Sequence, residues 1–339
     1  MSSADFARAL PDAYFLDAAD LKGLERYARQ QEFIGPTQSL HSAQKAGEGN
    51  MNLTLRLMLA ESSLILKQAR PWVEKYPHIE APADRSLVEI AFYEMAAKRP
   101  SLCDAMPRLL GSDPASRVVA LEDLGEAKDF TPLYSGKTLT RAELDSLVAY
   151  LQILHAAWDS PLPPVFANRE MRALNHEHIF RLPLASDNGL ALDSFTTGLQ
   201  EASDALIADR HYVDGVTKLG EMYLADGSTL VIVHGDYFPG SWLRTGRGIR
   251  VIDPEFCFTG PAAYDVGVML GHLYLADQAC AEDVLELYPC NDEFAALARQ
   301  FAGVEIMRRL IGVAQLPLSC GIERKRELLE LSRELVLSA

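Results

Sequence analysis

Residues 230–267, LVIVHGDYFPGSWLRTGRGIRVIDPEFCFTGPAAYDVG, place three carboxylates at the ends of two apolar runs. Residues 230–233 and 249–252 read as short buried strands. The first delivers His234-Gly235-Asp236, the second delivers Asp253-Pro254-Glu255, and the loop between them carries Ser241. Carboxylates at the mouths of two adjacent strands can converge, although Asp236 and Asp253 stand 17 positions apart. Phosphoryl transfer asks little covalent chemistry of a protein. It needs an orienter or base for the attacking hydroxyl, and hard oxygen ligands for Mg²⁺. Asp236 suits the first task, and Asp253 and Glu255 suit the second. A lone loop acid is ordinarily just solvated, but three at this spacing between apolar runs point to a site. His234 reads as a packing residue of the loop.

A second set lies upstream. Gly47-Glu48-Gly49-Asn50 precedes NLTLRLML (52–59), whose alternation puts Leu53, Leu55, Leu57 and Leu59 on one face of a strand. Glycines there let backbone N–H groups approach phosphates. A second strand, 63–68, follows after a turn at Glu61 and predicts a hairpin. Within it Lys67 is a lone lysine among apolar neighbours, which must snorkel or find a partner. The next helix, 84–98, has an apolar stripe of Val88, Ala91, Phe92 and Met95, with Glu89 at its edge. The bland readings are an exposed strand lysine and a surface acid.

Farther along, Arg308 and Arg309 are adjacent inside an apolar helix, EIMRRLIGVAQL. Neighbours on a helix diverge by about 100°, so the pair cannot share one solvent face. One is expected to reach inward, and the alternative is one arginine paired with Glu305 and one solvated. Asn175-His176-Glu177-His178 reads as extended, which puts the histidines on opposite faces and makes them a poor zinc chelate.

The elements that must hold these residues divide into a sheet-rich first third and a helix-rich remainder. A helix over 17–31 carries Leu21, Leu24 and Ala28, and a strand over 117–121 ends in Glu122-Asp123-Leu124-Gly125. That acidic, glycine-tipped segment is the candidate hinge. Helices are expected over 141–158, 197–224 and most of 262–338. The fold class is α+β, with a nucleotide lobe over 1–121, a hinge over 122–126 and a catalytic and substrate lobe over 127–339.

Composition limits the partners. The 339 residues carry a formal charge of −15, which disfavours nucleic acid or an anionic membrane as partner. No stretch approaches the roughly 20 apolar residues of a membrane span, and MSSADFARAL lacks the pattern of a secretory signal. Five cysteines without CxxC spacing fit a reducing cytoplasm better than a disulfide framework.

His-Gly-Asp, four residues, a polar ligand and then Ile-Asp is similar to the pattern of the aminoglycoside phosphotransferase and choline kinase group, which implies a protein-kinase-like two-lobe fold. VIDPEFCFTGPAAYDVGVMLGHLYLA, GEGNMNL, ILKQARPWV, DRSLVEIAFYE and NHEHIFRLPL resemble segments of 5-methylthioribose kinases in particular. The resemblance spans about 47–335. It implies ATP and Mg²⁺ as cofactors and a small-molecule hydroxyl as acceptor. It further implies that Gly47, Gly49 and Asn50 close over phosphates, that Glu89 orients Lys67 onto them, and that Glu122, Asp123 and Leu124 meet adenine through main-chain groups. Asp253, Glu255 and Ser241 would hold the metal, Asp236 would act on the acceptor, and Arg308 or Arg309 would neutralise charge. Asp265 would buttress the catalytic loop, a role compatible with its bland reading as a helix N-cap. Related sugar kinases often dimerise, which leaves a homodimer open.

Two departures touch the acceptor. Phe238 and Pro239 stand where methylthioribose enzymes have histidine and threonine, and the chain is shorter than full-length members. Another sugar, an aminoglycoside or a choline-like amine stays open as acceptor, as does a nucleotide-binding pseudokinase.

Overall fold

The computed structural model describes residues 2–47, 49, 51–158, 161–227 and 230–338. It is an α+β chain, sheet-rich in its first third and helical thereafter. Two compact units form: 1–127 with 163–171 and 250–257, and 128–162 with 172–249 and 258–339.

The first unit opens with α1 (Ser3–Ala9) and α2 (Leu21–Gln30). Its strands are β1 (Leu40–Lys45), β2 (Leu53–Leu59), β3 (Ser63–Gln68), β4 (Trp72–Val73), β5 (Tyr76–Glu80), β6 (Leu109–Asp113) and β7 (Val118–Glu122), with α3 (Arg85–Ala96) and α4 (Pro100–Cys103) between β5 and β6. Five strands make one antiparallel sheet in the order β1-β2-β3-β7-β6. The expected hairpin forms as β2–β3, with Lys67 opposite Thr54. Leu55, Leu57 and Leu59 turn inward with Leu64 and Leu66, and α2 supplies Leu24, Tyr27 and Ala28 to the same core. Edge strands β1 and β6 had escaped the sequence reading. LHSAQK and LLGSD carry few apolar residues because only one neighbour and one face of an edge strand need covering.

The second unit contains β8 (Lys128–Asp129), α5 (Arg141–His155), α7 (Leu199–Ala208), α8 (Arg210–Leu224), β9 (Val231–Val233), β10 (Trp242–Thr245), β12 (Phe258–Gly260), α9 (Ala262–Leu275), α10 (Asp283–Leu287), α11 (Asp292–Ile311) and α12 (Ile322–Leu337). Between α5 and α7 runs α6 (Arg169–His176), and β11 (Gly248–Val251) follows β10. The helix expected over 197–224 is broken at Asp209, whose side chain accepts from His211 and Tyr212 N–H and caps α8. The expected helical run of 262–338 resolves into the four helices α9 to α12.

Two further expectations change. The strand ending at Val233 pairs with Phe258–Gly260, so the runs at 231–233 and 248–251 are not the adjacent pair inferred from sequence. Asn175-His176-Glu177-His178 is helical rather than extended: α6 runs into a single π turn, Glu177–Arg181. Met171, Ile179 and Phe180 are buried, a helical spacing that the alternation His-Glu-His had disguised. His176 stacks on Phe180 with ring centroids 5.5 Å apart.

Candidate active site

In the first unit the lysine and acids singled out from sequence come together. Lys67 on β3 and Glu89 on α3 are buried, at 5% and 1% exposure, which overturns their readings as surface residues. Lys67 Nζ donates to Glu89 Oε1 at 3.0 Å and to Asp253 Oδ1 at 2.8 Å, and lies 3.7 Å from Glu255 Oε1. Burial works against the lysine's charge, but Asp253, Glu255 and Glu89 outweigh it and hold the ammonium protonated, above its ordinary range. Burial pushes Glu89 up to about 7 in spite of Lys67, helped by the nearby charges of Glu255 and Asp253.

That shift has a consequence for stability. Between the ordinary carboxyl value of 4.5 and about 7 the folded state binds a proton at Glu89 that the unfolded state does not, so stability falls as pH rises through this window. Glu89→Gln mimics the neutral acid. Urea unfolding should therefore find the variant close to the parent near pH 5 and more stable by about 3 kcal/mol near pH 8. Parallel stability curves would show that Glu89 ionises normally.

Asp253 and Glu255 enter the unit on the segment 250–257, pinned by a Val251 N–H to Ala105 carbonyl bond of 2.8 Å. Asp253 has φ 63° and ψ 53°, a left-handed conformation that Asp tolerates better than most residues and that surrounding contacts must enforce. It opens the 3₁₀ turn Pro254–Phe256, which turns Glu255 into the interior.

Two residues that the sequence reading passed over secure Glu255. Arg85, only 1% exposed, donates Nε to Asn52 Oδ1 (3.0 Å) and Glu255 Oε2 (3.1 Å). Its Nη1 bonds the Arg70 and Pro82 carbonyls, and its Nη2 bonds the Met51 carbonyl. Asn52 Nδ2 adds 2.7 Å to the same Glu255 oxygen. The arginine thus ties the chain just after the glycine segment to the carboxylate. Asn52→Ala leaves that oxygen one donor short and should cost about 2 kcal/mol in urea unfolding. An unchanged midpoint would mean that water replaces the amide without loss.

Gly47 has φ 71°, and a Cβ would meet open space at both Gly47 and Gly49, whereas Glu48 and Asn50 lie outside the described residues. The side chains of the segment expected as a hinge have partners of their own. Asp123 Oδ2 lies 2.7 Å from Arg56 Nε on β2, and Glu122 Oε2 accepts from Arg108 N at 3.2 Å. Leu124 beside them is half-buried.

In the second unit the loop that begins at His234 is anchored by Asp265 of α9, which accepts from His234 N–H (2.6 Å) and Gly235 N–H (3.0 Å). His155 Nε2 lies 3.1 Å from the same carboxylate. The helix cap itself is Pro261, so Asp265 serves the loop rather than the helix end. Gly235 takes φ 84°, a turn that carries Asp236 out of the strand at little steric cost. Ser241 is buried and its hydroxyl donates to the Asp236 carbonyl at 3.2 Å. Tyr237 and Trp242 are core residues: Tyr237 OH donates to the Leu147 carbonyl and its ring stacks on Tyr150.

Both tandem arginines reach inward, and neither is the solvated member that the sequence allowed. Arg308 Nη2 and Arg309 Nη2 each lie 3.1 Å from Asp236 Oδ1. The Arg309 guanidinium also sits 5.1 Å from the centre of the Phe238 ring. The structure therefore gathers Lys67, Glu89, Asp253 and Glu255 in the first unit, and Asp236, Ser241, Arg308 and Arg309 in the second.

Residues 42–298 match the model of the phosphotransferase enzyme family, APH. The chain belongs to that family. This phosphotransferase is 27% identical to a methylthioribose kinase of Bacillus pumilus, over 79% of this chain and 78% of that one. It is 26% identical to the methylthioribose kinase of Erwinia tasmaniensis over 92% of each. Among solved structures its fold is similar to a choline kinase from Cryptosporidium parvum, with TM-score 0.59, 14% identity and coverage of 94% and 96%. It is also similar in fold to a spectinomycin phosphotransferase solved with ADP and spectinomycin, with TM-score 0.57, 15% identity and coverage of 94% and 97%. Among the described residues of the phosphotransferase no helix is long and apolar enough to cross a membrane.

Proposed function

We propose that this phosphotransferase moves the γ-phosphoryl group of ATP, with Mg²⁺, onto a hydroxyl of a small uncharged sugar. The preferred acceptor is the anomeric hydroxyl of 5-methylthioribose or a close analogue, in methionine salvage in the cytoplasm. The observation that carries the sugar, as against a cationic amine, is the pair of guanidinium groups on Asp236. A quaternary ammonium or aminoglycoside would have to approach that carboxylate past two fixed positive charges. The relatives that carry the name methylthioribose kinase support the same choice.

The donor set fits Mg²⁺. Asp253 is 43% exposed at its side chain, with Oδ1 on Lys67, and Glu255 has Oε2 on Asn52 and Arg85 while Oε1 stands 3.7 Å from the ammonium. Both are hard oxygen ligands, and the Ser241 hydroxyl has lone pairs beyond its bond to Asp236. No three His, Cys, Asp or Glu side chains assemble as a cage among the described residues. Mg²⁺ commonly takes one or two carboxylates and completes its shell with phosphates and water. When bound, the ion supplies charge neutralisation across the phosphates.

The chain's own residues supply the rest. Lys67, oriented by Glu89, grips the nucleotide phosphates while the backbone of Gly47, Gly49 and Asn50 covers them. Main-chain groups of Glu122, Asp123 and Leu124 receive adenine. Asp236 orients the acceptor hydroxyl and takes its proton. Arg308 and Arg309 stabilise negative charge on the moving group, the term that dominates such chemistry.

A coupled ADP-release assay with ATP and Mg²⁺, run on 5-methylthioribose, ribose, choline and kanamycin, tests the reading. Turnover confined to the methylthio sugar is expected. Turnover on choline or kanamycin would overturn the acceptor and keep the chemistry, and nucleotide binding without turnover on any of them would leave a pseudokinase.

A further inference from the structure

We propose that Glu305 is a positioning residue of the acceptor site, splaying the two arginines so that both reach one oxygen of Asp236. The proposal rests on the reading of Asp236 as the group that meets the acceptor.

Glu305 lies three and four residues before the arginines on α11, the spacing at which helix side chains face one another. It divides its carboxylate between them: Oε2 accepts from Arg308 Nε at 2.5 Å and Oε1 from Arg309 Nε at 2.8 Å. Consecutive helix positions diverge by about 100°, yet both Nη2 atoms stop 3.1 Å from the same Asp236 Oδ1. A shared anchor between two divergent stems accounts for that convergence. Each guanidinium is gripped at Nε by one acid and presents Nη2 to the other, so its plane is fixed at two points.

The anchor is itself braced. Glu305 is 1% exposed, and His272 Nε2 of α9 lies 2.8 Å from its Oε1. On its far side His272 Nδ1 is 2.6 Å from Tyr134 OH. Burial lowers His272 to about 4, so the ring braces the carboxylate as a neutral group near pH 7. Burial also opposes the charge of Glu305, but Arg308, Arg309 and His272 outweigh it and keep the acid ionised, well below the usual carboxylate range. Close approach of the helices makes the brace reachable: a Cβ on Gly271 would come within 2.9 Å of the Ala302 carbonyl and 3.0 Å of Glu305 Cβ.

Glu305→Gln keeps the shape but replaces one acceptor by an NH₂ donor, which must face one of the two Nε–H groups. One arginine should swing away. Misplacement of this size costs about 10²-fold in turnover, and we expect that loss in kcat with a raised KM for the acceptor and little change in the KM for ATP. Tyr134→Phe removes a single hydroxyl from the brace and should show the same signature at a loss of several-fold, even if Glu305→Gln folds poorly. Equal damage to both Michaelis constants, or unchanged kinetics in both variants, would overturn the proposal. Wild-type inactivity on every acceptor would instead count against the reading of Asp236. The positioning claim is then decided by a crystal structure of Glu305→Gln: it stands if one arginine has left Asp236 and falls if both remain on Oδ1.

Discussion

Asp236→Asn is expected to lower turnover by about 10²–10⁴-fold, the usual contribution of a positioned general base, while leaving ATP binding nearly intact. The substitution is a clean one here for a geometric reason. Both arginines donate to a single oxygen, Oδ1, so an asparagine carbonyl in that place can accept both bonds. The loop is held by other means, through Asp265 and the His234 and Gly235 amides. What disappears is the negative charge and the capacity to take a proton from the acceptor hydroxyl. ADP release measures the turnover, and Mg²⁺-dependent protection by ATP against thermal unfolding measures the binding. Undiminished turnover would remove Asp236 from the mechanism, and lost ATP protection would mean that the residue shapes the nucleotide site.

Lys67→Met is expected to lower kcat/KM by about 10²–10³-fold, the loss seen when one preorganised charge-stabilising donor is removed. It should also destabilise the protein, because Glu89 and Glu255 are buried and the ammonium is their shared neighbour. Removing one partner of a buried pair costs about 3–5 kcal/mol. That cost has a relief route. Glu89 is already pushed up to about 7 with the lysine present, so without it the acid takes up a proton instead of remaining a bare buried charge. A raised carboxyl binds protons in the folded state over a pH range where the unfolded chain has lost them, so the deficit grows as pH rises. Urea unfolding of parent and variant should thus differ less at pH 6 than at pH 8. A deficit independent of pH would show that Glu89 does not absorb the change.

Much of this was legible before any fold was known. Alternation in NLTLRLML gave the hairpin, because period-2 patterning records which face is covered, while the lone lysine of the following strand left snorkelling or a buried partner open. The loop sequence His-Gly-Asp and the turn Asp-Pro-Glu gave the acids, because short-range motifs keep their meaning in sequence. The spacing of Glu305 to Arg308 and Arg309 was also legible as a pair of helical contacts, but it did not say that both arginines would be claimed at once.

Other features left no local trace. Edge strands such as Leu40–Lys45 are too polar to announce themselves, and the helical course of Asn175 to His178 was masked by an accidental alternation. Arg85 reaches Glu255 across 170 residues and Asn52 reaches it across 203, so no window of sequence contains either pair. His272 sits among apolar neighbours in VMLGHLYL, and no local pattern says that it meets Glu305. The sequence by itself determined which chemical groups the chain possesses and which local elements carry them, since propensity and periodicity act between near neighbours. Only the tertiary structure decided how those groups are paired. Burial removes water as a partner, and each charged side chain must then find its counterpart wherever the packed chain supplies one.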